Sequence, residues 1–400
     1  MSKIHITPFF KFCRVKIMHQ EVDETNKTVK ITLKPDKRYA PVCSKCKERI
    51  KEIPSYNTRT IRDLNIFDAK TFLEITYRML KCSKCGNVVE ELPLMAPYKR
   101  VSQRLATYVL ELCKYMTIKE VAEHLELDWK TVKEIHKHHL REKFSHEEKV
   151  NPKVLVIDEI SIRKGHTYLT LVADWDSGRV LWVGKGRSYE ALKQFFDSLS
   201  DTQRASIMAV AMDMWDPYIK AVRESCPGAK IVFDLFHVVA AFNRVIDKVR
   251  NMEYRKAHEA GREVIKGSKY LLLKNKEHLS EEEKPRLKEL LTLNETLTTT
   301  YILKDYLKKL WTYRFPKCAV KAITSWFCIA YKSKIKPLIA FAKTLIRYAF
   351  GIINHCWFPI HTGRMEGINN KIKVIKRKAY GFHDMEYFSL IIKDTFAFSN

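Results

Sequence analysis

Two pairs of cysteines, Cys43-Ser44-Lys45-Cys46 and Cys82-Ser83-Lys84-Cys85-Gly86, constrain this chain more than any other feature. Two residues between the thiolates let the backbone fold into a tight knuckle that offers both sulfurs to one ion, and two knuckles complete a tetrahedral Zn2+ site. Four thiolates leave no open coordination position, so the zinc is expected to be structural. The 35 residues between the knuckles exceed a simple ribbon, so a small sheet is expected there. The apolar alternation of Lys70 to Leu80 can supply one of its strands. The remaining cysteines (Cys13, Cys113, Cys226, Cys318, Cys328, Cys356) read as small core residues of a protein kept in a reducing compartment.

The 400 residues imply two to four domains, and 46% apolar content excludes a disordered chain. Lys and Arg outnumber Asp and Glu by 72 to 46, a formal +26. Such an excess suits a protein that neutralises phosphates, although a solvated basic surface would give the same number. Residues 1 to 20 are broken by Lys3, Lys11, Arg14 and Lys16, with no small-residue cleavage site, so no signal peptide is expected. The longest apolar stretch, Leu338 to Ile360, carries Lys343, Arg347 and His355, which argues against a bilayer span. A cytoplasmic, nucleoid-associated protein with no membrane partner is expected.

From Thr117 the pattern predicts a helix-turn-helix. Ile118, Val121, Ala122 and Leu125 share one helical face, and Leu127, Val132 and Ile135 continue that core. Asp128 caps the second helix, whose outward face is expected to offer Lys130, Lys133, His136 and Lys137 to a DNA groove.

Beyond Lys153 the expected elements are strands at Val154 to Asp158, Thr167 to Trp175 and Arg179 to Val183, then a helix at Tyr189 to Leu199. A strand at Ile207 to Met212, a helix at Pro217 to Ser225, a strand at Lys230 to Phe233 and a further helix follow. That order specifies an α/β ribonuclease-H-like fold, in which the first and fourth strands lie side by side. Asp158 and Asp213 would then converge and could hold two Mg2+ ions about 3.5 to 4 Å apart. A third acid is expected from a later helix, and Glu366 is the candidate. There Ile368, Ile372, Ile375 and Ala379 would form the buried face, and Glu366, Asn370, Lys373 and Arg377 another. Between Arg364 and Lys378 stand six basic residues and one acid, which suits a helix lying along a DNA backbone. Glu159, Asp174 and Asp216 compete for the same roles. Alternation cannot choose between Asp158 and Glu159, because each shares a face with two apolar residues.

These residues resemble the DDE-type insertion-sequence transposases of the ISL3 group. The likeness lies in Val156-Ile157-Asp158-Glu159 with Arg163-Lys164-Gly165-His166-Thr167-Tyr168-Leu169-Thr170, in Ala211-Met212-Asp213-Met214 with Tyr218, and in Asp234-Leu235-Phe236-His237. It continues in Arg364-Met365-Glu366-Gly367-Ile368-Asn369-Asn370 and on from Lys373 to Gly381. The resemblance implies a Mg2+-dependent transposase with Asp158, Asp213 and Glu366 as the metal-binding triad, supported by Asp234 and His237. Arg364 joins Asn370, Lys373 and Arg377 as an expected DNA contact.

The expected domains are a zinc-binding module (1–98), a helix-turn-helix (99–150), the first part of the catalytic core (151–237), a helical insertion (238–355) and the last part of the core (356–400). Trp311, Trp326 and Trp357, between His237 and Glu366, are expected to fill a helical core; the alternative, implied by the resemblance, is contact with transposon ends or stacking on a distorted base. The partners implied are double-stranded DNA, as terminal inverted repeats and as target, and a second copy of the chain in the active complex. Water would cut the 3′ end and the freed hydroxyl would attack target DNA. The rival readings are a non-catalytic zinc and helix-turn-helix regulator, and a nuclease or resolvase that cuts without joining.

Overall fold

The computed structural model describes residues 12–95, 100–145, 151–163, 167–360 and 363–397. The chain divides into two compact units, 1–147 and 148–400. Lys164, Gly165 and His166 of the resembling segment, with His361 and Thr362, lie outside the described residues.

In the first unit, β1 (Val15–Asp23), β2 (Thr28–Pro35), β3 (Ser55–Arg62), β4 (Lys70–Cys82) and β5 (Gly86–Val89) make one sheet. Strand β4 is its spine, parallel to β2 and antiparallel to β3 and β5. Its alternate residues Leu73, Ile75 and Tyr77 are buried against Ile31, Leu33 and Ile61, the period of two that an amphipathic strand requires. The expected strand at Lys70 to Leu80 is therefore present and runs on to Cys82.

Three helices follow, α1 (Gln103–Leu112), α2 (Ile118–Leu125) and α3 (Trp129–Ser145). Thr117 and Glu120 satisfy each other's backbone N–H groups as a capping box that starts α2. Glu126 ends the helix in the left-handed region, with φ 51°. Asp128 Oδ1 then accepts from Lys130 N at 2.8 Å and opens α3. Val121, Ala122, Val132 and Ile135 pack with Leu105, Ala106 and Val109 of α1. Buried Asp63, just past β3, accepts from Ser102 Oγ at 2.5 Å and Arg104 Nε at 2.8 Å, fastening the sheet to the start of α1.

The second unit is built on β6 (Val154–Arg163), β7 (Thr167–Asp174), β8 (Val180–Lys185), β9 (Ala209–Met212) and β10 (Lys230–Phe233), in the order β10-β9-β6-β7-β8. Strand β6 is parallel to β9 and antiparallel to β7, and β9 is parallel to β10. Helices α4 (Tyr189–Asp197), α5 (Asp201–Ser206) and α6 (Asp216–Ser225) link these strands. Two expectations change here. Strand β6 does not stop at Asp158: Ile160 and Ile162 keep the alternation and its antiparallel partner β7 carries it to Arg163. The fourth strand begins at Ala209, because Ser200 and Gln203 cap the short α5 just before it.

Helix α7 (Leu235–Lys256) runs from the sheet into a helical body made with α8 (Glu259–Ile265), α9 (Lys269–Leu273), α10 (Glu283–Leu293), α11 (Glu295–Lys309), α12 (Pro316–Lys332), α13 (Lys336–Arg347) and α14 (Ala349–Ile353). As expected, its tryptophans fill the core. Trp326 is fully buried between Phe242 and Phe341, and buried Trp311 donates to Phe233 O at 3.3 Å. Trp357, expected with them in a core, is instead exposed.

The chain returns to the sheet with α15 (Gly363–Lys378) and α16 (Met385–Thr395). Met365, Ile368 and Ile372 pack on the face that carries Val154, Val156 and Ile160, at roughly 1.5 to 3 kcal/mol per buried side chain. The opposite face, with Leu155 and Ile157, is covered by Leu192, Phe195 and Phe196 of α4 and Tyr218 and Val222 of α6. Ala379 was expected on the buried face, but α15 ends at Lys378 and Ala379 is exposed.

Candidate functional site

Pairing decides where the acids go. The parallel register matches Leu155 with Val210 and Val156 with Ala211. Strand β9 ends at Met212, so Asp213 follows directly and Asp158 stands just past the last paired residue of β6 on that edge. Val156 and Ala211 face α15 whereas Ile157 and Met212 face α4 and α6, which returns Asp158 and Asp213 together to the side of α15. Glu159 points to the other side. There its Oε1 lies 2.6 Å from Arg187 Nε. The structure thus gives different partners to two neighbouring acids that alternation alone left equivalent, although both lie close enough to Asp213 to feel its charge.

Two further elements close on the pair. Asp234 caps α7, accepting from Phe236 N at 3.1 Å, and this sets His237 on the first turn. His237 Nδ1 lies 2.9 Å from Asp213 Oδ1, and its Nε2 is 3.8 Å from Asp234 Oδ2. From α15, Asn369 Nδ2 donates to Asp158 Oδ2 at 2.6 Å. Asp158 Oδ1 accepts from the Glu159 amide at 2.7 Å. Sequence reasoning missed Asn369 and favoured Asn370, which is exposed. The available signal was the spacing of three residues from Glu366, which keeps Asn369 on the same helical stripe.

Burial, with the neighbouring Asp213 carboxylate, raises Asp158 above the usual carboxylate range despite the Glu159 amide and Asn369. Burial and Asp213 likewise push Glu159 up to about 7, with Arg187 opposing. Burial works against the charged form of His237, but the hydrogen bond to Asp213 and the charges of Asp213, Asp158 and Asp234 outweigh it and raise the imidazole. A bound cation would offset the mutual repulsion of such crowded acids. The oxygen-rich donor set fits a hard divalent ion. Two buried oxygens beside it, Asn369 Oδ1 and Glu159 Oε2, have no hydrogen-bond partner.

Glu366 lies on α15 one turn before Asn369 and is exposed, with no hydrogen bond or ion pair among the described residues. The three carboxylates do not form a group with oxygens within 4.8 Å of one another. The other residues expected to meet DNA divide. Asn370, Lys373 and Arg377 are exposed on α15. Arg364 instead spends its guanidinium on the protein, donating to the carbonyls of Trp175 and Asp176 (2.9 Å for the latter) and anchoring the start of α15. In the recognition helix Lys130 is exposed and Lys133 half-buried. Lys137 does not face outward: it sits one turn before buried Leu140 and is itself only 7% exposed.

In the first unit the four thiol sulfurs of Cys43, Cys46, Cys82 and Cys85 lie within 4.8 Å of one another, with Cys46 and Cys82 sulfurs 3.6 Å apart. A tetrahedral zinc with bonds of about 2.3 Å needs sulfurs about 3.8 Å apart, so the cluster fits the ion. The second knuckle is the β4–β5 turn, and the residue after each pair, Lys47 (φ 63°) and Gly86 (φ 72°), takes the left-handed conformation that closes the loop. Among the described residues no helix is long and apolar enough to cross a membrane.

Comparison with known proteins agrees with this arrangement. The family model described as a transposase, of the DDE ISL3 type, matches residues 155–392. The helix-turn-helix domain of transposase family ISL3 matches 90–140, and the zinc-finger of transposase IS204/IS1001/IS1096/IS1165 matches 40–85. The transposase for insertion sequence element IS1001 of Bordetella parapertussis is 39% identical over 94% of this chain and 93% of its own. The transposase for insertion sequence element IS1557 of Mycobacterium tuberculosis is 27% identical over 81% of this chain and 78% of its own. With a family match across more than half its length and a zinc module, a helix-turn-helix and an acid-bearing α/β core in the family's order, the chain belongs to the ISL3 family of transposases.

Proposed function

We propose that this transposase binds the terminal inverted repeats of its insertion sequence and carries out Mg2+-dependent cleavage and strand transfer on a ribonuclease-H-like core. In this reading residues 1–98 and 99–150 bind DNA, 151–237 and 356–400 form the core, and 238–355 are a helical insertion. The observation that carries it is the parallel pairing of β6 with β9, which sets Asp158 and Asp213 side by side, with Asn369 of α15 bonded to Asp158.

Asp158, Asp213 and Glu366 would hold the metal, Glu366 reaching in from the turn of α15 before Asn369. Two bound Mg2+ ions would activate the attacking oxygen and stabilise the leaving one in an in-line displacement. Asn369 fixes one oxygen of Asp158 and the Glu159 amide the other, so that carboxylate is held in one orientation. His237 does the same for Asp213 from the first turn of α7. Lys373 and Arg377, further along α15, would take neighbouring phosphates, while Lys130 and Lys133 of α3 approach a groove. Pairing two DNA ends would take a homodimer or a higher assembly in the active complex.

The test is incubation of purified protein with labelled DNA carrying the element's ends, a target plasmid and Mg2+. Cleavage at the 3′ end with joined products, both lost in Asp213→Ala and Glu366→Ala while DNA binding persists, supports the reading. Binding without either product in the wild type would make the chain a regulator, and cutting without joining would make it a nuclease.

A further inference from the structure

Resting on the chemistry proposed above, we infer that Arg187 is a phosphate-binding residue that receives one phosphodiester of the strand bordering the scissile bond. Arg187 follows β8 at the rim of the acid cluster, and its position is built rather than incidental. Gly186 before it has φ +99°, a conformation that L side chains rarely adopt. Its N–H donates to Tyr168 O at 2.9 Å, and its carbonyl accepts from Thr170 Oγ1 at 2.8 Å. The Thr170 hydroxyl is in turn 2.7 Å from the buried Tyr218 hydroxyl, which donates to it. The backbone that launches the Arg187 side chain is therefore held from both sides.

The guanidinium is equally constrained. It lies 4.4 Å from the ring centroid of Trp215, and Trp215 Nε1 donates to Arg187 O at 3.4 Å. Trp215 stands two residues past Asp213 on the same turn, its N–H donating to Asp213 O at 2.8 Å. Arg187 Nε faces Glu159 Oε1 at 2.6 Å, an ion pair without the alignment of a hydrogen bond. Its two terminal nitrogens make no hydrogen bond among the described residues, and the side chain is about one-third exposed. A planar fork with an open edge, stacked on an indole and beside a carboxylate that fixes its orientation, matches the two free oxygens of a phosphodiester. The guanidinium occupies the indole face under it, so a base cannot stack on that face. An anion approaching Asp158, Asp213 and Glu159 also needs a cation at the rim, and Arg187 supplies it.

The competing role is plain neutralisation of Glu159. The two separate in a binding cycle on DNA carrying the element's end, with Ca2+ replacing Mg2+ so that nothing is cut. Phosphates flanking the scissile position are replaced one at a time by neutral methylphosphonate, and affinity is read by fluorescence anisotropy. One linkage is expected to cost the wild type about tenfold and Arg187→Ala nothing further. Arg187→Lys, which leaves Glu159 paired, should retain only part of that sensitivity and serves if the alanine variant does not fold. If the cost of every linkage is the same in wild type and variants, the assignment is overturned. A coupled linkage in a protein that never cuts in Mg2+ would sink the proposed function and leave the phosphate site standing; cutting without a coupled linkage would do the reverse.

Discussion

Asn369→Ala removes the hydrogen bond through which α15 reaches the acid cluster. The amide donates at 2.6 Å to Asp158 Oδ2, in a setting where burial and Asp213 already disfavour the charged carboxylate. A hydrogen bond to a charged group contributes about 1.5 to 3 kcal/mol, which corresponds to about 10- to 150-fold in rate if the bond persists in the transition state. Outer partners of metal-binding carboxylates have effects of about 10- to 100-fold when removed, so the two estimates meet. The helix itself should stay docked, because Met365, Ile368 and Ile372 hold it to the sheet. The assay is the rate of 3′-end cleavage as a function of Mg2+, with binding of uncut DNA measured alongside. We expect a lower maximum rate and a higher Mg2+ requirement at unchanged binding. Asn369→Asp, which sets a second carboxylate against Asp158, should be at least as damaging. Cleavage by Asn369→Ala within twofold of wild type across the Mg2+ range would refute the argument that this bond orients Asp158.

The zinc site, the helical body and the recognition helix each yield a prediction. Cys82→Ser, or chelation of zinc, should disorder the β4–β5 end, where Leu80 and Val88, with half-buried Ile50 and Ile53, are a small apolar core around the cysteines; metal content and thermal melting of residues 1–147 within the full chain report it. Lys304 is fully buried, donates to Leu272 O and Lys274 O at 2.7 Å each, and is lowered by burial to about 8 from 10.5. Between those values the unfolded chain binds more protons, so stability should rise with pH. Relative to Lys304→Met the wild type should gain about 2 kcal/mol from pH 8 to 9.5 in urea denaturation, and a flat difference would be the contrary result. Gly351→Ala would set a Cβ 2.3 Å from the Phe233 ring, next to Asp234, and should cost about 1 to 3 kcal/mol of stability in the same measurement. Lys130→Ala should weaken DNA binding and reduce the salt slope by about 1, whereas buried Lys137→Ala should lower the melting temperature instead.

What could be read from the chain alone was local or periodic. Two-residue spacing brought each cysteine pair to one four-thiol cluster, and the strand of period two at Lys70 to Leu80 needed no tertiary information. Thr117, Glu120 and Asp128 marked the ends of α2 and α3 because caps satisfy backbone groups within three residues. The order of strands and helices after Lys153 gave the neighbourhood of β6 and β9, since short connections leave few topologies. Whatever depended on which surface covers which face stayed hidden. Asp158 and Glu159 alternate across one strand and became different only when α15 packed on one side and α4 with α6 on the other. Lys137 and Arg364 read as free cations because charge is visible in a sequence and its partners are not; one is buried on α3 and the other grips two carbonyls 188 residues or more away. Arg187 carried no signal of its own and Asn369 only its spacing from Glu366, for an amide or a guanidinium acquires a role from the carboxylate that long-range folding sets against it.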